Sequence, residues 1–141
     1  MQNIRRFRFL VWLFVFSYCG CGTSNDVANK QDELSFGESI EQAHFVANEL
    51  HFNMQSGGER EFLSSVFEAF KGQMEGIAAN APASDLSEDE KSKLIDACQS
   101  LQRNFEHVLS GSEDYQQRFS KVDVELVQEI GVLESMKERW N

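Results

Sequence analysis

The sequence predicts an all-α domain over residues 34–141, arranged as an antiparallel four-helix up-down bundle. In four separate segments, apolar residues recur at alternating intervals of three and four, which is the spacing of one helix face. Serine and glutamate stand three residues apart near the start of three segments, and short breaks containing glycine, serine or proline separate the segments. The predicted helices span 35–55, 58–79, 87–109 and 112–139.

The first two helices each carry one apolar row that is expected to face the core. In the first helix the row is Phe36, Ile40, Ala43, Ala47, Leu50 and Met54. In the second it is Leu63, Phe67, Phe70, Met74 and Ile77, widened by Phe62 and Val66. The first helix is apolar beyond its row, because Phe45, Val46 and Phe52 lie off it. This additional apolar surface is expected either to cover another helix or to bind a partner.

The last two helices show the same spacing. The third carries the row Leu94, Cys98, Leu101, Phe105 and Val108. The fourth carries a row of residues seven apart, Phe119, Leu126, Leu133 and Trp140, flanked by Val122, Ile130 and Met136. Because short connections between long helices favour antiparallel neighbours, the up-down bundle is the preferred arrangement. A three-helix bundle, in which the last two segments fuse, is the alternative.

The predicted helix starts depend on a capping box, in which a serine hydroxyl accepts a hydrogen bond from an amide of the first turn. A glutamate three residues later accepts a hydrogen bond from the serine amide in return. The three pairs with this spacing are Ser35 with Glu38, Ser56 with Glu59, and Ser87 with Glu90. Each pair is expected to begin one helix.

The N-terminal segment differs in composition from the helical domain. Three arginines, an apolar run and four small residues follow one another: Arg5, Arg6 and Arg8, then residues 9–18, then residues 19–22. The uncharged run is about ten residues long, whereas a helix that spans a bilayer needs about 20. A signal peptide over residues 1–20 is therefore favoured over a permanent transmembrane helix.

This order of residues resembles the export signal of bacterial lipoproteins, in which a cysteine preceded by small residues receives a diacylglyceryl group. The resemblance covers residues 1–22 and implies that Cys21 is the lipidated residue, because Cys19 and Gly20 before it are small. Cys19 is the less favoured site because the bulky Tyr18 precedes it, and an unlipidated signal peptide is a further alternative. Residues 21–33 would then form the lipidated cysteine and a polar, flexible tether.

The same resemblance implies a protein anchored by lipid in the cell envelope, facing the periplasm or the exterior. The chain has 13 Lys and Arg against 23 Asp and Glu, and its formal net charge is −10. Cleavage after residue 20 removes three arginines and no acid, so the formal charge becomes three units more negative, −13. Because so acidic a surface repels phosphate groups, no nucleic-acid partner is expected. The expected partners are the membrane, through the lipid, and another envelope protein.

The histidines do not form the metal-binding pattern of a di-iron bundle. Glu41 and His44 have the required i, i+3 spacing, but His51 and His107 follow asparagines instead of glutamates. We therefore interpret the three histidines as surface or boundary residues and assign no metal ligand. Cys98 lies on a core row and is interpreted as a buried free thiol.

No catalytic motif directs the interpretation towards an enzyme. The sequence lacks a haem-attachment cysteine pair, a glycine-rich phosphate loop and a Gly-x-Ser-x-Gly elbow. We therefore assign no catalytic residue and no cofactor. The favoured hypothesis is a non-catalytic, lipid-anchored envelope protein that serves as a helical interaction or structural module. The alternative is an envelope bundle that binds a metal or small ligand.

Overall fold

The structure, a computed structural model, describes residues 35–111 and 114–140. The predicted signal peptide, the tether and both candidate lipidation sites, Cys19 and Cys21, lie outside the described residues. Within the described ranges the chain forms four long helices and no strand. The helices are α1 (Phe36–Gln55), α2 (Arg60–Asn80), α3 (Glu88–Leu109) and α4 (Tyr115–Lys137), with a 3-10 turn at Ala81–Ala83. None of these helices is both long and apolar enough to cross a membrane.

The all-α fold class and the presence of four helices are confirmed. Helices α3 and α4 are separate, so the three-helix alternative with a fused last pair is wrong. Each long helix packs mainly against two others, because α1 and α3 each lie against both α2 and α4. The four helices thus form a bundle around one shared core.

The four predicted rows provide most of this core, and all of their members are buried except Phe36, Trp140 and the half-buried Phe62, which widens the second row. Phe67 and Phe105 meet near the middle of the core, with ring centroids 6.0 Å apart. Ile130 and Met136, which flank the fourth row, are also buried. Helical periodicity therefore identified the side chains that the bundle removes from water.

Trp140 does not continue the buried row as predicted, because α4 ends at Lys137, three residues earlier. The indole is 40% exposed and packs edge-on against Phe36, with ring centroids 5.8 Å apart. It also covers Gly37, where a Cβ atom would lie only 2.7 Å from Cγ of Trp140. The absence of a side chain at Gly37 therefore allows the C-terminal residues to close over the first turn of α1.

Two of the three predicted capping boxes form. In α1 the Ser35 hydroxyl accepts from the amide of Glu38, and the Glu38 carboxylate accepts from the amide of Ser35. Ser87 and Glu90 make the same pair of hydrogen bonds at the start of α3. Both helices therefore begin where the sequence places their serine caps.

The predicted box at Ser56 is wrong, because Ser56 ends α1 instead of beginning α2. The amide of Gly57 donates to the carbonyl of Met54, and the amide of Gly58 donates to the carbonyl of Asn53. This is the Schellman pattern, which satisfies the last carbonyls of a helix. It requires the positive φ of 74° that Gly57 adopts. Helix α2 begins after this turn, and its N-cap residue makes no side-chain hydrogen bond.

We expect Gly37→Ala to lower the free energy of unfolding by about 1 kcal/mol, because the new methyl group displaces Trp140. Gly72→Ala is the matched control, since a Cβ there meets nothing within 4 Å on the exposed side of α2. The control should gain roughly 0.5–1 kcal/mol from helix propensity. Urea denaturation measures both changes, and equal stabilisation by the two variants would contradict the packing of Trp140 on Gly37.

The corrected role of Ser56 predicts unequal effects of two serine substitutions. Ser87→Ala should lower the free energy of unfolding by about 1 kcal/mol, because it removes an N-cap acceptor. Ser56→Ala should change stability by less than about half of that, because the turn at Ser56 uses backbone hydrogen bonds. Thermal and urea denaturation of both variants test this difference. A larger loss at Ser56 than at Ser87 would restore the predicted capping box.

Candidate functional site

Helix α1 carries apolar side chains on two opposite sides. Successive residues of a helix are about 100° apart, so Phe45 lies about 160° around the axis from Ala47 in the core row. Phe45 and Phe52 are two turns apart on this outer side, about 10 Å along the axis. Phe45 is 49% exposed and Phe52 is 61% exposed. Among the described helices, these two side chains therefore do not serve to cover another helix, which was the first of the two predicted uses.

A groove of about 390 Å³ lies along this outer side, and we call it the α1 groove. Its lining residues are Glu41, His44, Phe45, Asn48, Glu49 and Phe52 of α1, together with Lys137 of α4. Six of the seven belong to one helix, so the regular spacing of α1 fixes most of the shape. The contact between α1 and α4 fixes the remaining wall.

The polar part of the α1 groove is mainly acidic. Helix α1 contains Glu38, Glu41 and Glu49 and no lysine or arginine. The Glu49 side chain is half-buried beside the aromatic rings, and this burial raises the pKa of its carboxyl group. Within the described part of the chain, the Glu49 carboxylate has no ion pair. The groove therefore combines two exposed aromatic rings with an uncompensated carboxylate.

His44 is more buried than the sequence predicts, at 7% exposure, because its ring is inserted between α1 and α4. The Lys137 ammonium lies 3.3 Å from Nδ1, and the Asn48 amide nitrogen lies 3.5 Å from Nε2. Burial lowers the pKa of His44, and the positive charge of Lys137 lowers it further. Glu134 and Glu41 oppose this effect only in part. These surroundings favour a neutral imidazole whose Nδ1 accepts a hydrogen bond from the Lys137 ammonium.

The other two histidines occupy different surroundings. Nε2 of His51 lies 2.6 Å from Oδ1 of Asp123 in α4, and its ring packs against Phe119 with centroids 5.3 Å apart. His107 is exposed near the end of α3. Among residues 35–111 and 114–140, no group of three or more histidine, cysteine or acidic side chains is placed to hold a metal ion. His44 and His51 instead join α1 to two separate positions on α4.

Cys98 is a buried free thiol, which confirms its predicted state. Burial raises the pKa of this thiol to about 12, and the nearby charge of Glu129 contributes in the same direction. The thiolate is the nucleophilic form of cysteine, and this raised pKa keeps the Cys98 thiol protonated at neutral pH. It packs as a small apolar side chain in α3.

The sequence indicated Phe45 and Phe52 as exposed candidates and Glu41 and His44 for another reason, but it did not indicate Asn48, Glu49 or Lys137. Asn48 and Glu49 lie three and four residues after Phe45. A helical wheel therefore places them on the same side of α1 as Phe45, so the sequence could have indicated them. No sequence pattern indicates that Lys137 lines the groove, because it is 93 residues away from its contact His44. Only the packing of α4 against α1 brings these two residues together.

The surroundings of His44 predict a pH-dependent stability. Its pKa lies below the ordinary value of 6.5, so between these two values the unfolded chain binds more protons than the folded chain. The contribution of His44 to stability is complete above pH 6.5 and is lost as the pH falls towards the folded pKa. We expect an NMR titration of the His44 ring to give a midpoint below 6.5, and Lys137→Met to raise that midpoint. A midpoint above 6.5 in the unsubstituted protein would contradict the burial of His44 beside Lys137.

Comparison with protein-family models, with curated protein sequences and with solved structures returns no match to this chain. Functional inference therefore depends on the residues and contacts of the chain itself. Among the described residues, the α1 groove is the surface whose composition calls most clearly for a function, because large aromatic side chains lie there outside the core.

Proposed function

We propose that this chain is a non-catalytic, lipid-anchored protein of the cell envelope, and that its helical domain is an interaction module. In this proposal the α1 groove is the contact surface. The main support for this proposal is that Phe45 and Phe52 remain exposed on α1, although the opposite side of the same helix is buried in the core. The resemblance of residues 1–22 to a lipoprotein export signal supports the location.

The exposed phenylalanines support binding because the opposite side of α1 already provides the core contacts of this helix. Ile40, Ala43 and Leu50 are fully buried on the core side, so α1 is held in the bundle without the outer aromatic rings. Full burial of a large apolar side chain is worth roughly 1.5–3 kcal/mol. A partner that covered both rings would gain a large part of this amount at each. Aromatic side chains are also enriched in the buried centres of protein interfaces.

The proposed anchor places this surface near a membrane. Acyl chains contribute about 0.8 kcal/mol of membrane affinity for each buried methylene group, so lipid on Cys21 would hold the protein in place durably. The excess of acidic over basic residues favours an envelope protein as the partner over a nucleic acid. The domain would then act by position and contact, without chemistry of its own.

We also propose that the four helices run up and down in antiparallel order. Several contacts support this topology, because each joins the start of one helix to the second half of a neighbouring helix or to the residues just after it. These contacts pair Ser39 with Gln73, Arg60 with Leu109, Glu90 with Arg139, and Phe36 with Trp140. This order would leave the outer side of α1 accessible along its whole length.

Metabolic labelling with a fatty acid tests the proposed anchor. The unsubstituted chain and Cys19→Ser should both incorporate label, whereas Cys21→Ser should incorporate none. Because the two variants make the same chemical change two residues apart, Cys19→Ser is the matched control. Label that is lost only in Cys19→Ser would move the anchor to that residue. An unlabelled wild-type chain would contradict the anchor altogether.

Site-specific photo-crosslinking in intact cells tests the proposed contact surface. A photoreactive phenylalanine at position 52 should give a discrete adduct, because this side chain lies in the α1 groove. The same residue at position 124 is the control, since Val124 is 72% exposed on α4 but does not line the groove. Equal adducts at both positions, or none at position 52, would contradict an interaction through α1.

A further inference from the structure

We infer that the occupant of the α1 groove is a basic amphipathic helix of a partner protein. Its apolar side chains would pack against Phe45 and Phe52, and its lysine or arginine side chains would pair with Glu41 and Glu49. The inference depends on the proposed function, which states only that a partner binds at this surface. It adds the chemistry of that partner.

The shape of the groove supports a helical partner. Phe45 and Phe52 are seven residues apart in one helix, so they lie on nearly the same side of it and about 10 Å apart along its axis. Apolar residues at positions i, i+3, i+4 and i+7 of a second helix span the same length. A helix laid along α1 could therefore place one apolar side chain beside each ring and another between them, over Asn48.

The charge of the groove selects a basic partner over an acidic one. Glu41 and Glu49 both line it, and α1 offers no lysine or arginine to balance them. The half-buried carboxylate of Glu49 has already lost part of its hydration, so a cation brought next to it would gain more than one at a fully hydrated surface. The groove has two carboxylates and one basic residue, Lys137, which lies beside the imidazole of His44, so the lining carries an excess of negative charge.

Two other occupants are disfavoured by the same charges. A second copy of this chain would bring glutamates against glutamates, on molecules that each carry a formal charge of −10 before any processing. An anionic membrane surface would also repel the acidic rim of the groove. A basic helix is the occupant for which both the aromatic and the acidic side chains make favourable contacts.

Binding of model peptides to the full chain in a non-ionic detergent tests the inference. The probes are a fluorescent amphipathic peptide of leucine and lysine, about 18 residues or five turns long, and its counterpart with glutamate in place of lysine. We expect the lysine peptide to bind at least about tenfold more tightly, as judged by fluorescence anisotropy at pH 7.5. Equal affinity for the two peptides would overturn the inference.

Matched variants separate the groove from the general negative charge of the protein. Glu41→Gln/Glu49→Gln should raise the Kd of the lysine peptide about tenfold. Glu68→Gln/Asp96→Asn removes the same number of charges from exposed positions on α2 and α3, and it should raise the Kd less than about threefold. Equal weakening by the two double variants would show bulk attraction and overturn the inference.

The aromatic contribution requires its own pair of variants. Phe45→Ala/Phe52→Ala should also raise the Kd of the lysine peptide about tenfold, whereas Val124→Ala should leave it unchanged. All of these substitutions replace side chains outside the core, and far-ultraviolet circular dichroism checks that each variant keeps its helix content. An unchanged Kd in the double phenylalanine variant would overturn the inference.

Sequencing of the adduct formed at position 52 distinguishes the two proposals. A crosslinked segment that is rich in lysine or arginine and amphipathic at helical spacing supports the inference. A lipid, a second copy of this chain or an acidic segment would overturn the inference, but each would keep a contact role for the groove. The absence of any adduct at position 52 would overturn the proposed function itself.

Discussion

The structure depends on how α1 is rotated about its own axis. Only one orientation buries its row of small and aliphatic side chains. Ala43 and Ala47 lie at the centre of that row and are fully buried. Phe45 lies about 160° away around the helix axis, so no rotation buries both sets. A setting that buried the phenylalanines would also bring Glu41 and Glu49 towards the core, where unpaired carboxylates are costly. The exposed aromatic surface is therefore a consequence of how α1 must pack.

Contacts with α4 and with the residues just after it hold α1 in this orientation along its length. Near its start Phe36 packs against Trp140, and near its end His51 meets Asp123 at 2.6 Å. Between them, the buried ring of His44 lies against Lys137. Apolar packing alone permits small rotations of a helix, whereas directional contacts at separate heights restrict them. The same contacts that orient the core row therefore also orient the α1 groove.

Most of the core was predictable from the sequence, because burial follows the local periodicity of each helix. The failures occur where periodicity carries no information. Trp140 continues the spacing of the fourth row, but α4 has already ended. Ser56 satisfies two local patterns, and the following glycines decide between them because their amides satisfy the carbonyls that end α1. The contact between His44 and Lys137 joins residues 93 apart, so only the packing of helices creates it. The sequence also left two uses for Phe45, because spacing does not tell how many neighbours a helix has.

The distribution of charge along the α1 groove gives it a direction. At one end Glu41 shares the groove with Lys137, which lies beside His44 and offsets part of the negative charge there. At the other end, Glu49 lies near Phe52, and no basic residue lines that end of the groove. Both carboxylates attract a cation, and the attraction is stronger towards Glu49 than towards Glu41. A bound helix that pairs with both carboxylates therefore carries more of its positive charge near Glu49, and this asymmetry favours one orientation along α1 over the reverse.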